Sequence, residues 1–191
     1  MNIRELAFNL QNTYADMAKA FTDFQAKSGL PCLAGCGRCC LNPEIEASTL
    51  EMLPFAIKVY DEGKLDYWLS RMEELDQNFC ALFEGDPNSG QGKCSQYLER
   101  PAICRMFGVA GTFDKKQMPQ LSVCKHIREA DPAKTKSIEQ QIPSNEIPSI
   151  AQWYSQLSSM GDSQLQVKMP INLAIKSALE KLALYAQYQV I

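Results

Sequence analysis

Four cysteines lie within nine residues, in the segment Pro31-Cys32-Leu33-Ala34-Gly35-Cys36-Gly37-Arg38-Cys39-Cys40. Two glycines and a proline in so short a stretch disfavour both a helix and a packed strand. A glycine-rich loop can turn tightly enough to bring several sulfur atoms to one point, and its backbone N–H groups can point at thiolate sulfur. We call residues 31–40 the cysteine loop and predict that it binds a metal.

The chain of 191 residues carries eight cysteines and one histidine. A disulfide scaffold is disfavoured, because no secretory signal pattern is visible and a chain of this length can build a core without such staples. Scattered core cysteines behaving as small apolar residues would not cluster in this way. Metal ligation by thiolates is the main interpretation, and a cytoplasmic location with reduced thiols is expected.

Thiolate ligands favour zinc, iron–sulfur clusters or cuprous ion over magnesium, calcium or manganese. Only Cys36 and Cys39 form the C-x₂-C pair typical of zinc knuckles, whereas a compact group followed by distant single cysteines is typical of iron–sulfur ligands. An iron–sulfur cluster, slightly favoured, and Zn²⁺ both stay open as the cofactor. Eight thiolates divide into two sets of four. Adjacent side chains point in different directions, so Cys39-Cys40 either serves two neighbouring centres or supplies one ligand.

Two cations beside the later cysteines are candidate cofactor-binding residues. Arg100 and Arg105 flank Cys104, and we predict that they bind an anionic group or tune the potential of a cluster. Their simpler role is to compensate thiolate charge. His126 is the only imidazole available as a ligand, but a lone histidine is more commonly a hydrogen-bonding residue.

The cysteine loop, the later single cysteines and the segment Arg100-Pro101-Ala102-Ile103-Cys104-Arg105 resemble the CxxCxxCC cysteine-cluster family, a zinc- or iron-chelating domain. The likeness covers residues 30–125, and the first spacing here is C-x₃-C instead of C-x₂-C. The resemblance implies a metal or iron–sulfur domain whose biochemical role is unassigned. The predicted metal ligands are Cys32, Cys36, Cys39, Cys40, Cys80, Cys94, Cys104 and Cys124.

The apolar pattern predicts an α+β fold that is mainly helical. Residues 2–28 show helical periodicity that ends at Ser28-Gly29, and their apolar face is expected to pack on the C-terminal helix or a second subunit. Ser48-Thr49-Leu50-Glu51 forms a capping box for a helix that Pro54 should kink or restart. Pro170 is expected to open the last helix.

A small irregular sheet is expected between these helices, with strands at residues 79–83, 109–113 and 121–123. Residues 131–149 are expected to form a polar linker. We predict an N-terminal helix over 1–29, a cysteine-rich core over 30–128, and a linker with C-terminal helices over 129–191, all within one compact domain.

The formal net charge of −3 argues against nucleic acid or an anionic membrane as the main partner. Two functions stay open. One is a metal-binding module that works with a protein partner or as a homodimer through its helical faces. The other is a redox or cluster-dependent enzyme acting on an anionic or protein substrate near Arg100 and Arg105.

Overall fold

The structure is a computed structural model that describes residues 2–75, 78–116, 118–141 and 146–188. Helices predominate over short antiparallel strand pairs, which confirms the predicted α+β class. The described helices are α1 (Ile3–Ser28), α2 (Thr49–Asp61), α3 (Leu65–Glu73), α4 (Ala102–Met106), α5 (Lys125–Ala130), α6 (Pro132–Gln141), α7 (Ile150–Ser158) and α8 (Ile171–Gln187). The described strands are β1 (Glu46–Ser48), β2 (Phe83–Asp86), β3 (Gln91–Cys94), β4 (Val109–Phe113), β5 (Pro119–Val123) and β6 (Lys168–Pro170).

The N-terminal helix α1 is confirmed at both ends. The Asn2 side chain accepts a hydrogen bond from the Glu5 N–H at 2.8 Å, and Gly29 ends the helix in the left-handed conformation with φ of +62°. Its main packing partners are α2 and α4, whereas the C-terminal helix α8 packs mainly on α2, so the C-terminal helix is not a main partner of α1. Helix α2 lies between them, because its own two sides contact α1 and α8. A second subunit as a partner stays a prediction.

The capping box of α2 is confirmed, because the Ser48 side chain accepts from the Glu51 N–H and the Glu51 carboxylate accepts from the Ser48 N–H. The helix runs through Pro54 without the restart that we considered. Proline removes one backbone hydrogen bond there. The neighbouring Leu53 and Phe55 are fully buried, so packing on both sides of the helix offsets that loss.

Two apolar clusters form the interior. The larger contains the buried side chains of α1, α2, α3 and α8, among them Leu10, Phe55 and Leu179. The smaller joins Phe24 at the end of α1 to Val109 of β4 and Ile127 of α5, with Leu30 and Ile147. Because α1 contributes to both clusters, it fixes the cysteine-rich part of the chain against the helical body.

The strands form three separate antiparallel pairs in the described part of the chain, not the one small sheet that we expected: β1 with β6, β2 with β3, and β4 with β5. The strand predicted over 79–83 is wrong except at Phe83. The backbone of this segment forms hydrogen bonds with a side chain of α8 instead of with a strand. Ala81 N–H donates to Asn172 Oδ1 at 2.8 Å, and the Asn172 amide donates to the Phe79 carbonyl at 2.8 Å. The strands predicted over 109–113 and 121–123 are confirmed as β4 and part of β5.

The linker predicted over 131–149 is wrong in its first half, where α6 lies. Asp131 accepts a hydrogen bond from the Lys134 N–H at 2.9 Å, and Pro132 takes the first helical position. An aspartate followed by a proline is a helix-start signal. Residues 142–145 lie outside the described residues, and the proposed division at residues 29 and 128 stays a prediction. None of the helices in the described ranges combines the length and apolar character needed to cross a bilayer.

We expect Ser48→Ala to lower the free energy of unfolding by about 1 kcal/mol, because it removes the capping oxygen of α2. Urea unfolding followed by circular dichroism measures this change. Ser70→Ala, at an exposed position inside α3, is the matched control and should change stability by less than about 0.5 kcal/mol. Equal effects of the two substitutions would contradict the capping role.

Candidate metal centre

The cysteine loop lies along the hairpin formed by β2 and β3. Gly37 N–H donates to the Gly90 carbonyl at 3.0 Å, and Gly92 N–H donates to the Gly35 carbonyl at 2.9 Å. A Cβ atom on Gly37 would contact the Phe83 ring and the backbone of Gly92. Gly37 is therefore needed because loop and hairpin approach so closely there, whereas Gly35 is favoured by its left-handed backbone conformation with φ of +69°.

The loop, the hairpin, α1 and residues 97–107 enclose a cavity of about 740 Å³. Seven of the eight cysteines line it, although they are spread over 73 residues of sequence from Cys32 to Cys104. Those seven are Cys32, Cys36, Cys39, Cys40, Cys80, Cys94 and Cys104. Cys124 lies outside this lining, immediately before α5. The structure thus brings together most of the predicted ligands.

Three of these thiols are in direct contact. The Cys40 thiol hydrogen-bonds to both Cys39 and Cys94. This contact lowers the pKa of Cys39 to about 6, and it lowers the pKa of Cys94 as well. The pKa of Cys40 is raised in return, because its proton is shared with two neighbouring sulfur atoms.

Backbone N–H groups stabilise the sulfur atoms of Cys39, Cys80 and Cys94, and at Cys39 they come from residues 39 and 40. The Leu82 N–H points at the Cys80 sulfur and the Gln96 N–H at the Cys94 sulfur, in each case from two residues further along the chain. Such N–H···S bonds favour the thiolate form that a metal requires. At Cys80 burial outweighs this bond and raises the pKa to about 12, and burial also raises the pKa of Cys104.

Arg100 is a cation whose charge acts on four of the cavity thiols. Its guanidinium stacks on the Tyr97 ring at 3.4 Å from the ring centre, and its Nε donates to the Tyr97 carbonyl at 3.0 Å. The positive charge helps to lower the pKa of Cys39 and Cys94, and it opposes the rise at Cys32 and Cys104. Arg100 therefore lies where its charge can compensate thiolates of the cavity, and its role toward a cofactor or an anionic group stays a prediction.

The guanidinium of Arg105 donates its hydrogen bonds to backbone carbonyls instead of pointing them at a site for an anion. It is buried, and its guanidinium donates to the carbonyls of Leu98 and, at 2.8 Å, Arg100. The same group lies over the Tyr14 ring at 4.4 Å from the ring centre. Although Arg105 lines the cavity, its donors hold the segment that carries Arg100, so the geometry favours a positioning role.

Sequence reasoning missed several residues that shape the site. Asn172 of α8 holds the backbone on both sides of Cys80, through contacts 91 and 93 residues apart in sequence, and no local pattern signals this. Glu84 and Lys93 line the cavity as cross-strand partners, with an ion pair of 3.9 Å. The turn residues between Glu84 and Lys93 predict a hairpin, and this pattern could have indicated that the two side chains are cross-strand neighbours.

The donor set fits a thiophilic metal, because one cavity holds seven thiols. Among the described residues, no three or more His, Cys, Asp or Glu side chains already surround a common point as ligands. Side-chain rotation would be part of metal binding. The Nδ1 atom of the half-buried His126 lies 3.4 Å from the Glu129 carboxylate, one helical turn further along α5.

Replacing Arg105 with leucine should lower the free energy of unfolding by about 3 kcal/mol, because two backbone carbonyls lose a charged donor. Chemical denaturation under anaerobic reducing conditions measures this. Arg128→Leu removes an exposed arginine that pairs with Glu139 and is the matched control, with an expected change below about 0.5 kcal/mol. A loss as small as the control's would rule out the positioning role.

Arg100→Gln should move the alkylation of the most reactive thiol to higher pH. Thiolate is the nucleophile, and removal of a nearby cation raises the pKa of Cys39, so less thiolate is present near neutral pH. The rate of iodoacetamide labelling against pH, in reduced and chelator-treated protein, gives the midpoint. Arg128→Gln should leave that midpoint in place. An unchanged midpoint in Arg100→Gln would show that the charge does not act on the thiols.

Comparison with known sequence families gives one match, described as "Putative zinc- or iron-chelating domain", over residues 31–140. The match includes all eight cysteines and more than half of the chain. Comparison with curated proteins and with solved structures found no match. The matched segment contains the whole cysteine loop, the hairpin β2–β3 and α4, which line the thiol cavity together with α1. The chain belongs to the CxxCxxCC family.

Proposed function

We propose that this protein binds iron, as an iron–sulfur cluster, or zinc through its cysteine thiolates. The observation that carries this proposal is the convergence of seven cysteines on one cavity, from the cysteine loop, the segment before β2, strand β3 and the short helix α4, which are distant in sequence. A set made only of sulfur donors selects these metals over magnesium and calcium. The family to which the chain belongs supports the same chemistry.

The surroundings of the cavity thiols favour a role as metal ligands over a role as buried apolar side chains. The thiol contacts among Cys39, Cys40 and Cys94 bring sulfur atoms together that would repel one another as free thiolates. A bound cation removes that repulsion, and Arg100 supplies part of the compensation beforehand. When bound, zinc would supply structural cross-linking and an iron–sulfur cluster would supply one-electron transfer.

The composition of anaerobically purified protein tests the proposal. We expect metal bound in stoichiometric amount, measured as iron, zinc and acid-labile sulfide per chain. Visible absorbance with matching iron and sulfide identifies a cluster, and a colourless protein with about two zinc ions identifies four-thiolate zinc sites. Protein that stays free of metal, both as purified and after anaerobic incubation with iron, sulfide or zinc, would overturn the proposal.

A second function, a redox or cluster-dependent enzyme, is favoured by the size of the cavity. A volume of about 740 Å³ lies within the ~300–1,000 Å³ typical of small-molecule sites. Arg100 offers a positive charge there, and the exposed Tyr97 and Leu98 beside it offer apolar contacts. The substrate would be anionic or a protein segment. An iron with an open coordination position, seen as a change in the electron paramagnetic resonance spectrum on adding cyanide, supports this function, and an unchanged spectrum opposes it.

We expect a cytoplasmic location, since reduced thiols are needed for ligation. A protein partner or a homodimer through the helical faces stays part of the proposal. The exposed Leu173, Leu184 and Tyr188 of the C-terminal segment support an association surface there.

A further inference from the structure

We propose that the thiol cavity also binds a small amphipathic carboxylate, with its carboxylate group at Arg100 and its apolar body against helix α1. This inference rests on the proposed function and deepens its second form, because it names the class of substrate. The residues that would bind this ligand carry no thiol, so they are distinct from the predicted metal ligands.

One wall of the cavity comes from α1 and has no group that binds a thiophilic metal. This wall consists of Ala18, Phe21, Thr22 and Gln25. Their spacing of i, i+3, i+4 and i+7 places all four on one face of the helix. A methyl group, an aromatic ring, a hydroxyl and an amide do not replace thiolates as ligands of zinc or of an iron–sulfur cluster. A metal centre held by the cysteines therefore does not use this wall.

Polar groups that line the cavity are left for a ligand. The Thr22 hydroxyl and the Gln25 side-chain amide make no hydrogen bond to the residues that the structure describes. Arg100 uses its Nε for the Tyr97 carbonyl, and its two terminal nitrogen atoms have no acceptor within the described ranges. A guanidinium with free terminal nitrogen atoms can donate two parallel hydrogen bonds to one carboxylate.

The charged side chains of the lining favour an anion at Arg100. Three of them are cations, Lys93, Arg100 and Arg105, and one is the carboxylate Glu84. Glu84 pairs with Lys93 at 3.9 Å, and Arg105 donates to backbone carbonyls, so neither cation is as free as Arg100. Free thiolates would repel an anion. A bound metal shares their charge, and we therefore expect the carboxylate to bind to the metal-bound protein.

The depth of the cavity favours a small ligand with an apolar body. Ile45, Leu82 and Ile171 line it although all three are buried, whereas Tyr97 and Leu98 are exposed. The surface of a folded partner would reach the exposed pair and leave the buried side chains uncovered. A volume of about 740 Å³ lies in the upper half of the ~300–1,000 Å³ range of small-molecule sites, which leaves room for a ligand beside a metal.

Isothermal titration calorimetry on metal-bound, anaerobically purified full-length protein tests this inference. The probes are benzoate, 4-phenylbutyrate and octanoate, with 4-phenylbutyramide as the uncharged counterpart. We expect at least 4-phenylbutyrate to bind with a Kd below about 1 mM. The amide should bind about tenfold more weakly, because it lacks the charged hydrogen bonds to Arg100.

Two variants with matched controls locate the ligand. Arg100→Gln should weaken the binding of 4-phenylbutyrate about tenfold and remove the preference over its amide, whereas the exposed Arg128→Gln should change neither. Ala18→Phe should block binding, because the ring would fill space beside the α1 wall. Ala15→Phe, at an exposed position of α1 outside the cavity lining, is its control. Samples of equal metal content are compared, and circular dichroism checks that each variant is folded.

The outcomes separate this inference from the proposed function. A wild type without metal overturns the proposed function itself. A metal-bound wild type that binds none of the three carboxylates overturns this inference alone. Equal affinity for 4-phenylbutyrate and its amide, or wild-type affinity in Arg100→Gln or in Ala18→Phe, also overturns it. If Ala18→Phe does not fold, the comparison with the amide and the Arg100→Gln variant still decide.

Discussion

The thiol cavity depends on the backbone hydrogen bonds between the cysteine loop and the hairpin β2–β3. These bonds join Gly37 to Gly90 and Gly92 to Gly35, across more than fifty residues of sequence. The thiols of the cysteine loop and the thiol of Cys94 line one cavity because the two segments are held at this spacing. Glycine is required where the Phe83 ring meets Gly37, since a side chain there would push the loop from the hairpin. Glycines, which have no reactive side chain, therefore determine the spacing of the thiols in this site.

The helical body then holds this cavity at two points. Asn172, in the first turn of α8, binds the backbone on both sides of Cys80. Arg105 lies over Tyr14 of α1, whose hydroxyl donates to the Glu51 carbonyl at 3.1 Å, and it holds the segment before α4. Hydrogen bonds from a rigid core fix the positions of Cys80 and Arg100 more firmly than the loops could. The core therefore supports the site as well as the fold.

Features set by nearby residues could be predicted from the sequence. Helix α1, its glycine end, the capping box at Ser48 and the metal-binding character of the cysteine loop all depend on short-range patterns. The error at residues 79–83 has a physical cause, because the backbone there takes its hydrogen bonds from Asn172, which is distant in sequence. Tertiary contacts override local propensity at such positions. Helix α6 is different, since Asp131-Pro132 carried a local start signal that outweighs the polar composition of the segment.

The two walls of the cavity differ in what holds them, and this difference determines what a metal can do for the fold. The wall with Cys40, Cys80, Cys94 and Cys104 packs against the larger apolar cluster, which has buried side chains from α1, α2, α3 and α8. Hydrophobic burial of that extent stabilises a helical body without any cross-link. The opposite wall, with the exposed Cys32, has no such packing and relies on loop hydrogen bonds. Free energy of metal binding would therefore act mainly on residues 31–39 of the cysteine loop, because Cys40 is the loop residue that packs against an apolar cluster.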